Sequence, residues 1–324
     1  MNSSQPSTPI ILITVDVEDW FQVENLRPWF PHSRWEVLPS RVESNTHRLL
    51  DLFDSFDRKV KATFFILGWI AERYPQLVRR IKQRGHEIAS HGHNHLLNDQ
   101  MDNKTLQEDL HKSKKLLEDI SGEQVFGYRA PCFSINDAIL KMIQDTGYAY
   151  DSSYNSFQRH GRYGRIETNG KRHYGIALRI DNGFFDLPVS NLQVSGQTIP
   201  WGGGGYFRLI PPWLFRAGIR RILKRENAYM FYLHPWEIDP DQPRVAEARG
   251  VPALRHYINI DKTHDRLTRL IGNFQRCEFR TCTQYLSAMV GAEFAAFQKP
   301  ARLIEAEMRG SEIPILGGRL QPDF

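Results

Sequence analysis

Four short apolar runs in this chain each end in residues that can do chemistry, and that repetition constrains the fold more than any other feature. Ile10 to Asp16 runs into Glu18 and Asp19, and Glu87 to Ser90 runs into His91-Gly92-His93-Asn94-His95. Val125 to Tyr128 runs into Arg129-Ala130-Pro131, and Tyr229 to Leu233 runs into His234-Pro235-Trp236. Ile10 to Asp16 is compact, apolar and β-branched and reads as a buried strand, and the other three runs read as strands as well. Parallel strands deliver their C-terminal ends to one face, which is where sites form in such architectures.

Helical periodicity fills the gaps between these strands. It predicts helices over Thr46–Phe56, Ile70–Arg84 and Asn136–Asp145, and a stripe of Leu106, Leu110, Leu117 and Ile120 closed by Gly122. Ala62 to Leu67 is a further strand, and Tyr148–Tyr150 and Phe184–Val189 continue the series. Later come helices over Pro211–Arg225 and Asp265–Arg276 and a strand near Phe279 to Thr281. Two stretches, Ser156 to Gly183 and Pro235 to Thr263, have no period and read as irregular excursions. Strand–helix alternation favours a parallel α/β architecture. The expected organisation is a disordered N-terminus over 1–9, a barrel over 10–290 and a helical, loosely held tail over 291–324.

Composition narrows the class. Among 324 residues, 41% are hydrophobic and 24% charged, enough to bury a core, and no apolar run approaches the length of a membrane span. The formal charge is +5 and the sequence pI near 9.0, but the cations sit on helical stretches such as Arg220-Arg221-Ile222-Leu223-Lys224-Arg225 without a nucleic-acid-binding motif. No nucleic-acid partner is expected. Cys132, Cys277 and Cys282 are too few and scattered for a disulfide framework or a thiolate zinc site. The first eight residues carry no basic stretch leading into an apolar one, so no secretory signal and a cytoplasmic setting are expected.

Three clusters point to a cation site. Period-2 geometry places Asp16 and Glu18 on one face, and Asp19 joins them only if the chain turns after Val17. His91 and His95 have the i, i+4 spacing that lets two imidazoles reach one ion. His86 and His93 read as structural or as supports behind the metal ligands. Arg129 offers a planar fork able to grip a carboxylate in bidentate fashion.

Taken in order, Asp16 with its following acids, His91-x3-His95, Arg129-Ala-Pro and Leu233-His234 resemble the NodB-homology polysaccharide deacetylases, carbohydrate esterase family four. The resemblance covers roughly residues 10 to 235. Val15-Asp-Val-Glu-Asp-Trp-Phe21 and Pro200-Trp-Gly-Gly-Gly-Gly-Tyr-Phe-Arg208 look like the subfamily of exosortase-linked exopolysaccharide loci. The resemblance implies a distorted (β/α)7 barrel with a family-specific C-terminal region from about residue 200.

It also implies roles: Asp16 as general base, Arg129 as the group that orients it, His234 as general acid, and His91 and His95 as metal ligands. Val17 interrupts the family's adjacent aspartates, so the metal carboxylate is either Glu18, favoured by register, or Asp19, favoured by ligand type. Asp151 matches a further motif that lines the groove. The implied cofactor is a divalent ion, Zn2+ first, with Co2+, Mn2+ or Ni2+ accepted. The implied partner is an N-acetylated carbohydrate, handled in the cytoplasm or beside a membrane-bound polysaccharide assembly machinery. Trp20, Phe21, Trp201, Tyr206 and Trp236 are candidate sugar-stacking aromatics. An allantoinase-like hydrolase of cyclic amides and a non-catalytic polysaccharide-binding barrel are the competing readings.

Overall fold

The computed structural model describes residues 8–157, 163–245, 248 and 250–298. In chain order its strands are β1 Ile10–Val17, β2 Ala62–Ile66, β3 Glu87–Ser90, β4 Gly127–Tyr128, β5 Tyr150–Asp151, β6 His173–Tyr174, β7 Ala177–Asp181, β8 Phe184–Asp186, β9 Asn191–Val194, β10 Gln197–Pro200, β11 Ala228–Leu233 and β12 Glu278–Phe279. Seven of them, ordered β11-β1-β2-β3-β4-β5-β8, run parallel in one curled sheet, and β7 and β6 extend it antiparallel beyond β8. This is the distorted (β/α)7 barrel expected. Every residue of β1, β2 and β11 is buried, as strands covered on both faces must be.

No strand pair joins β8 to β11 among the described residues, and irregular chain bridges that seam. Tyr232 N–H donates to Gly202 O at 2.7 Å, and Met230 N–H donates to Ser190 Oγ at 2.9 Å. The approach requires glycine: Gly203 has φ 135°, and a Cβ there would lie 2.0 Å from Tyr232 O. The Gly202–Gly205 tract is therefore the place where backbone packs directly on β11.

Caps fix the helices. Asp102 accepts from Thr105 N–H at 2.9 Å to start Asn103–Ser121, and Gly122 ends it in the left-handed region. Asn136 caps Asp137–Asp145, and Thr281 with Gln284 forms a reciprocal box on Cys282–Val290. One expected helix is two. Pro75 has no N–H to give, so Ile70–Arg84 divides into Gly68–Arg73 and Pro75–Gln83.

The excursions also hold regular structure. The first contains β6 and β7, and the second contains the helix Val251–Tyr257. A hairpin, β9–β10, turns through Ser195 and Gly196, both with positive φ. Of the N-terminal stretch 1–9, Thr8 and Pro9 lie within the described residues, and Pro9 O accepts from Glu278 N–H at 2.9 Å. The helix Ala292–Gln298 opens the expected tail, whose continuation to Met308 lies outside the described residues. Among the described residues no helix is long and apolar enough to cross a membrane.

Candidate active site

All four sequence signals converge at the C-terminal ends of β1, β3, β4 and β11, around a cavity of about 360 Å3. Asp16, Glu18, His91, His95 and His234 all line it. The chain turns directly after β1, with Glu18 N–H donating to Asp16 O at 3.0 Å, and this tight turn puts both carboxylates in the same cavity.

Glu18 Oε2 lies 3.3 Å from His95 Nε2, and ligand atoms of Glu18, His91 and His95 all fall within 4.8 Å of one another. His91 Nδ1 lies 2.8 Å from Arg129 O, an arrangement in which Nδ1–H donates to the carbonyl and Nε2 keeps its lone pair for the cavity. The i, i+4 spacing of the two histidines is not carried by a helical turn. A loop brings them together, with Gly92 at φ 74° and His95 at φ 53° turning it, and Arg27 Nη2 donates to His95 O at 2.5 Å.

The electrostatics suit a cation. Burial would raise the Glu18 carboxyl, but His95 and His234 outweigh it and bring it to about 2. Burial lowers His91, and lowers His95 to about 4 against the pull of Glu18. The cluster is thus an ionised carboxylate and two neutral imidazoles, the protonation state that metal binding needs. Glu18 Oε2 is buried and has no hydrogen-bond partner, a cost that a cation would remove. These residues fit a divalent ion.

Asp19 does something else. Its Oδ2 accepts from Ser40 Oγ at 2.6 Å, Arg41 N–H at 2.8 Å and Val42 N–H at 3.1 Å, and its Oδ1 accepts from Trp20 N–H at 2.9 Å. It holds the N-terminus of the helix Val42–Asp54 and is not among the residues that line the cavity. The carboxylate facing the histidines is that of Glu18.

Arg129 is fully buried, and its fork is split rather than bidentate to Asp16. Nη1 donates to Asp16 Oδ1 at 2.7 Å and Thr14 Oγ1 at 2.8 Å, while Nε and Nη2 donate to Ser152 O and Oγ at 3.0 and 2.8 Å. The guanidinium also lies over the Phe65 ring, 4.1 Å from its centroid. β1, β2 and the residue that follows β5 therefore contribute to holding one side chain. Asp151 does not line the cavity. It is buried beside Asp186, its register partner on β8, and its oxygens accept from Ser153. Burial raises both carboxyls of this pair, and the mutual repulsion raises Asp186 further.

Two site residues escaped the sequence reading. Glu237 Oε1 lies 2.8 Å from His234 Nδ1, and Arg208 Nε donates to Glu237 Oε2 at 2.7 Å. Arg208 also donates to the carbonyls of Arg255, His256 and Ile258, so this carboxylate is anchored from the C-terminal half. Burial would lower His234, but Glu18, 3.0 Å from Nε2, and Glu237 outweigh it and raise the imidazole to about 10. His234 is charged at neutral pH. The signals were present in the Gly-rich run ending at Arg208 and in the spacing of His234 and Glu237, which closes a single 3-10 turn. Of the five aromatics, Tyr206 and Trp236 line the cavity, whereas Trp20, Phe21 and Trp201 are buried in packing against Phe30, Trp35 and Phe215 respectively. His86 and His93 lie outside the cluster, as structural residues should.

A seven-stranded parallel barrel carrying a buried carboxylate–histidine cluster at its C-terminal face defines the class as that of the deacetylase-type barrels. Residues 33–150 match the polysaccharide deacetylase family and residues 152–287 match a domain of unknown function, DUF3473, so this chain carries a NodB-type, carbohydrate esterase family four domain followed by that extension. The stretch of 103 residues most similar to a peptidoglycan-N-acetylglucosamine deacetylase of Bacillus cereus is 36% identical to it, 32% of this chain and 47% of that protein. The chain spans about a third to a half of the length of the curated relatives it matches. A solved structure of a polysaccharide deacetylase-type protein from Mycobacterium smegmatis superposes with TM-score 0.57 at 20% identity, covering 92% of this chain and 94% of that one. Puue allantoinase superposes with the same TM-score at 13% identity, over 90% and 96%. At these identities both likenesses are of fold.

Proposed function

We propose that the protein is a metal-dependent deacetylase that hydrolyses N-acetyl groups on the amino sugars of a polysaccharide or its oligosaccharide precursor. The observation that carries this reading is the convergence of Asp16 and His234 with the Glu18–His91–His95 cluster inside one cavity, with His234 Nε2 4.0 Å from Asp16 Oδ2 and 3.0 Å from Glu18 Oε1.

Glu18, His91 and His95 would hold a divalent ion, Zn2+ first for a donor set of two imidazoles and one carboxylate. Such an ion supplies Lewis acidity to the amide carbonyl and lowers the pKa of water. The chain's own residues do the rest. Asp16, fixed through Arg129, takes a proton from the attacking water as its oxygen bonds to the acetyl carbon. His234, charged by its two carboxylate neighbours, gives its Nε2 proton to the sugar nitrogen as the C–N bond breaks. Acetate and a free amine leave. Glu237 holds the imidazole from Nδ1 during the transfer, and Arg208 holds Glu237.

The deacetylase named in the Bacillus cereus relative acts on N-acetylglucosamine of peptidoglycan. The test is acetate release from N-acetylated oligosaccharides, with allantoin as the competing substrate. Acetate release that chelation abolishes supports the proposal; turnover of allantoin alone replaces it with a cyclic-amide hydrolase. Binding of oligosaccharide without turnover of either substrate would replace it with a non-catalytic barrel.

A further inference from the structure

The largest exposed apolar side chains do not scatter over the surface. Among the described residues, Leu209, Trp213, Leu214 and Leu254 are 57%, 65%, 39% and 62% exposed, and Val37 is the one other large apolar side chain so exposed. Leu209 and Leu254 line the catalytic cavity, so they stand at its mouth. Trp213 and Leu214 open the helix Pro212–Glu226, which begins three residues after Leu209. Exposed aromatic and apolar residues grouped at a site entrance mark an interaction surface.

The same helix supplies charge. Its inner face, Phe215, Ile219, Ile222 and Leu223, is buried. Its outer face continues from Trp213 through Ala217 to Arg220, Arg221, Lys224 and Arg225, all exposed. Trp213, Ala217, Arg220 and Lys224 fall at i, i+4, i+7 and i+11, one stripe of an α-helix. Arg225 pairs with Glu226, but no acidic side chain among the described residues pairs with Arg220, Arg221 or Lys224. The stripe is therefore apolar beside the cavity mouth and cationic further along. That combination is the signature of a helix lying on an anionic interface, with aromatic and leucine side chains entering the acyl boundary and cations facing the headgroups.

We infer that the outer face of Pro212–Glu226, with Leu209 and Leu254, docks the protein onto an anionic lipid bilayer and turns the cavity mouth towards it. The occupant is a lipid surface rather than a soluble glycan because the patch pairs apolar side chains with three cations that have no acidic partner among the described residues, and a neutral sugar would leave that charge unused. Docking stands independently of the deacetylation chemistry, since none of these side chains belongs to the Asp16–Glu18–His91–His95–His234 constellation.

The test is flotation of the full-length protein with vesicles of phosphatidylcholine containing about one-third phosphatidylglycerol, and with vesicles of phosphatidylcholine alone. Binding to the anionic vesicles is expected, weakening as salt rises from roughly 0.1 to 0.5 M. Each cation near such a surface is worth roughly fivefold in affinity, so the combined Arg220→Gln, Arg221→Gln and Lys224→Gln variant should bind on the order of a hundredfold more weakly. Trp213→Ser with Leu254→Ser should lose at least about tenfold. All five positions are exposed, and unchanged thermal midpoints would show the fold intact. No flotation with anionic vesicles overturns the inference, as does binding that both variants leave unaltered. A Trp213→Ser variant that raises KM for a soluble oligosaccharide while the parent protein ignores vesicles would make the patch a sugar platform and overturn it equally.

Discussion

Glu237 presents a carboxylate oxygen 2.8 Å from Nδ1 of His234, three residues earlier in the chain, and receives the guanidinium of buried Arg208 on its other oxygen. The stacked rings of His234 and Trp236, 5.3 Å apart at 22°, leave the imidazole one orientation in which Nε2 faces the cavity. The proton donor of the proposed reaction is thus positioned by residues from the C-terminal half, whereas the cation cluster comes from the N-terminal half.

Replacing Glu237 by Gln keeps a hydrogen-bonding side chain of similar size but removes the charge that fixes the ring. Misplacing a reacting group by about 1 Å can cost on the order of a hundredfold, so a fall in kcat of about ten- to a hundredfold on an N-acetylated sugar is expected. Cation content should stay unchanged. An aryl acetate ester, whose leaving group departs without protonation, should lose much less. Equal losses on amide and ester would assign Glu237 a structural role only.

Glu18 and Asp19 are neighbours with opposite expectations. Glu18→Gln should abolish cation binding in an elemental assay and activity with it, and chelation of the parent protein should do the same, reversed by adding zinc or cobalt. Asp19→Asn should keep the cation and lose stability by roughly 1–3 kcal/mol, because buried hydrogen bonds to Arg41 and Val42 N–H are weakened or lost. Loss of cation from Asp19→Asn with Glu18→Gln fully loaded would reverse the assignment.

Arg129→Lys keeps one positive charge but cannot span both Asp16 and Ser152, which the guanidinium now ties together across the barrel. A fall in kcat of at least tenfold with unchanged cation content is expected, together with lower stability from the unpaired Ser152 carbonyl. Parental kcat would mean that Asp16 needs no help in finding its position.

The barrel and most of the site were legible because their signals are local. A buried parallel strand must be apolar along its length, and β1, β3, β4 and β11 each hand a polar residue to the next loop. What was not legible depends on directions taken after the strands end. Glu18 and Asp19 are adjacent, and only the turn closed by Glu18 N–H on Asp16 O decides which enters the cavity. Arg208 and Glu237 lie 29 residues apart, and no periodicity links an arginine after a glycine run to a glutamate after a histidine. The hairpin β9–β10 was missed because Ser195-Gly196 was not read as a turn pair. Helical spacing at His91 and His95 pointed to two imidazoles that do lie together, but a loop with two left-handed residues, not a helical turn, brings them there.

Stability in acid offers a test away from the cavity. His86 Nδ1 accepts from Ala62 N–H at 3.2 Å where β2 begins, and its Nε2 is buried without a partner. Burial, reinforced by Lys61, lowers this imidazole to about 4 against an ordinary value near 6.5. The folded protein therefore holds His86 neutral, while the unfolded chain takes up a proton below about 6.5. In the window from 6.5 down to 4 the unfolded state binds more protons, so stability rises with pH and is lost on acidification. The full window is worth roughly 3 kcal/mol at 1.36 kcal/mol per pKa unit. His86→Gln keeps an acceptor near Ala62 N–H and cannot titrate. Urea unfolding of both proteins at pH 7.5 and near pH 4.5 should show a smaller acid loss in the variant, by about 2–3 kcal/mol. The other buried histidines titrate in both proteins and cancel in the difference. An identical acid loss in the two would place the titrating group elsewhere and leave His86 as packing beneath β2.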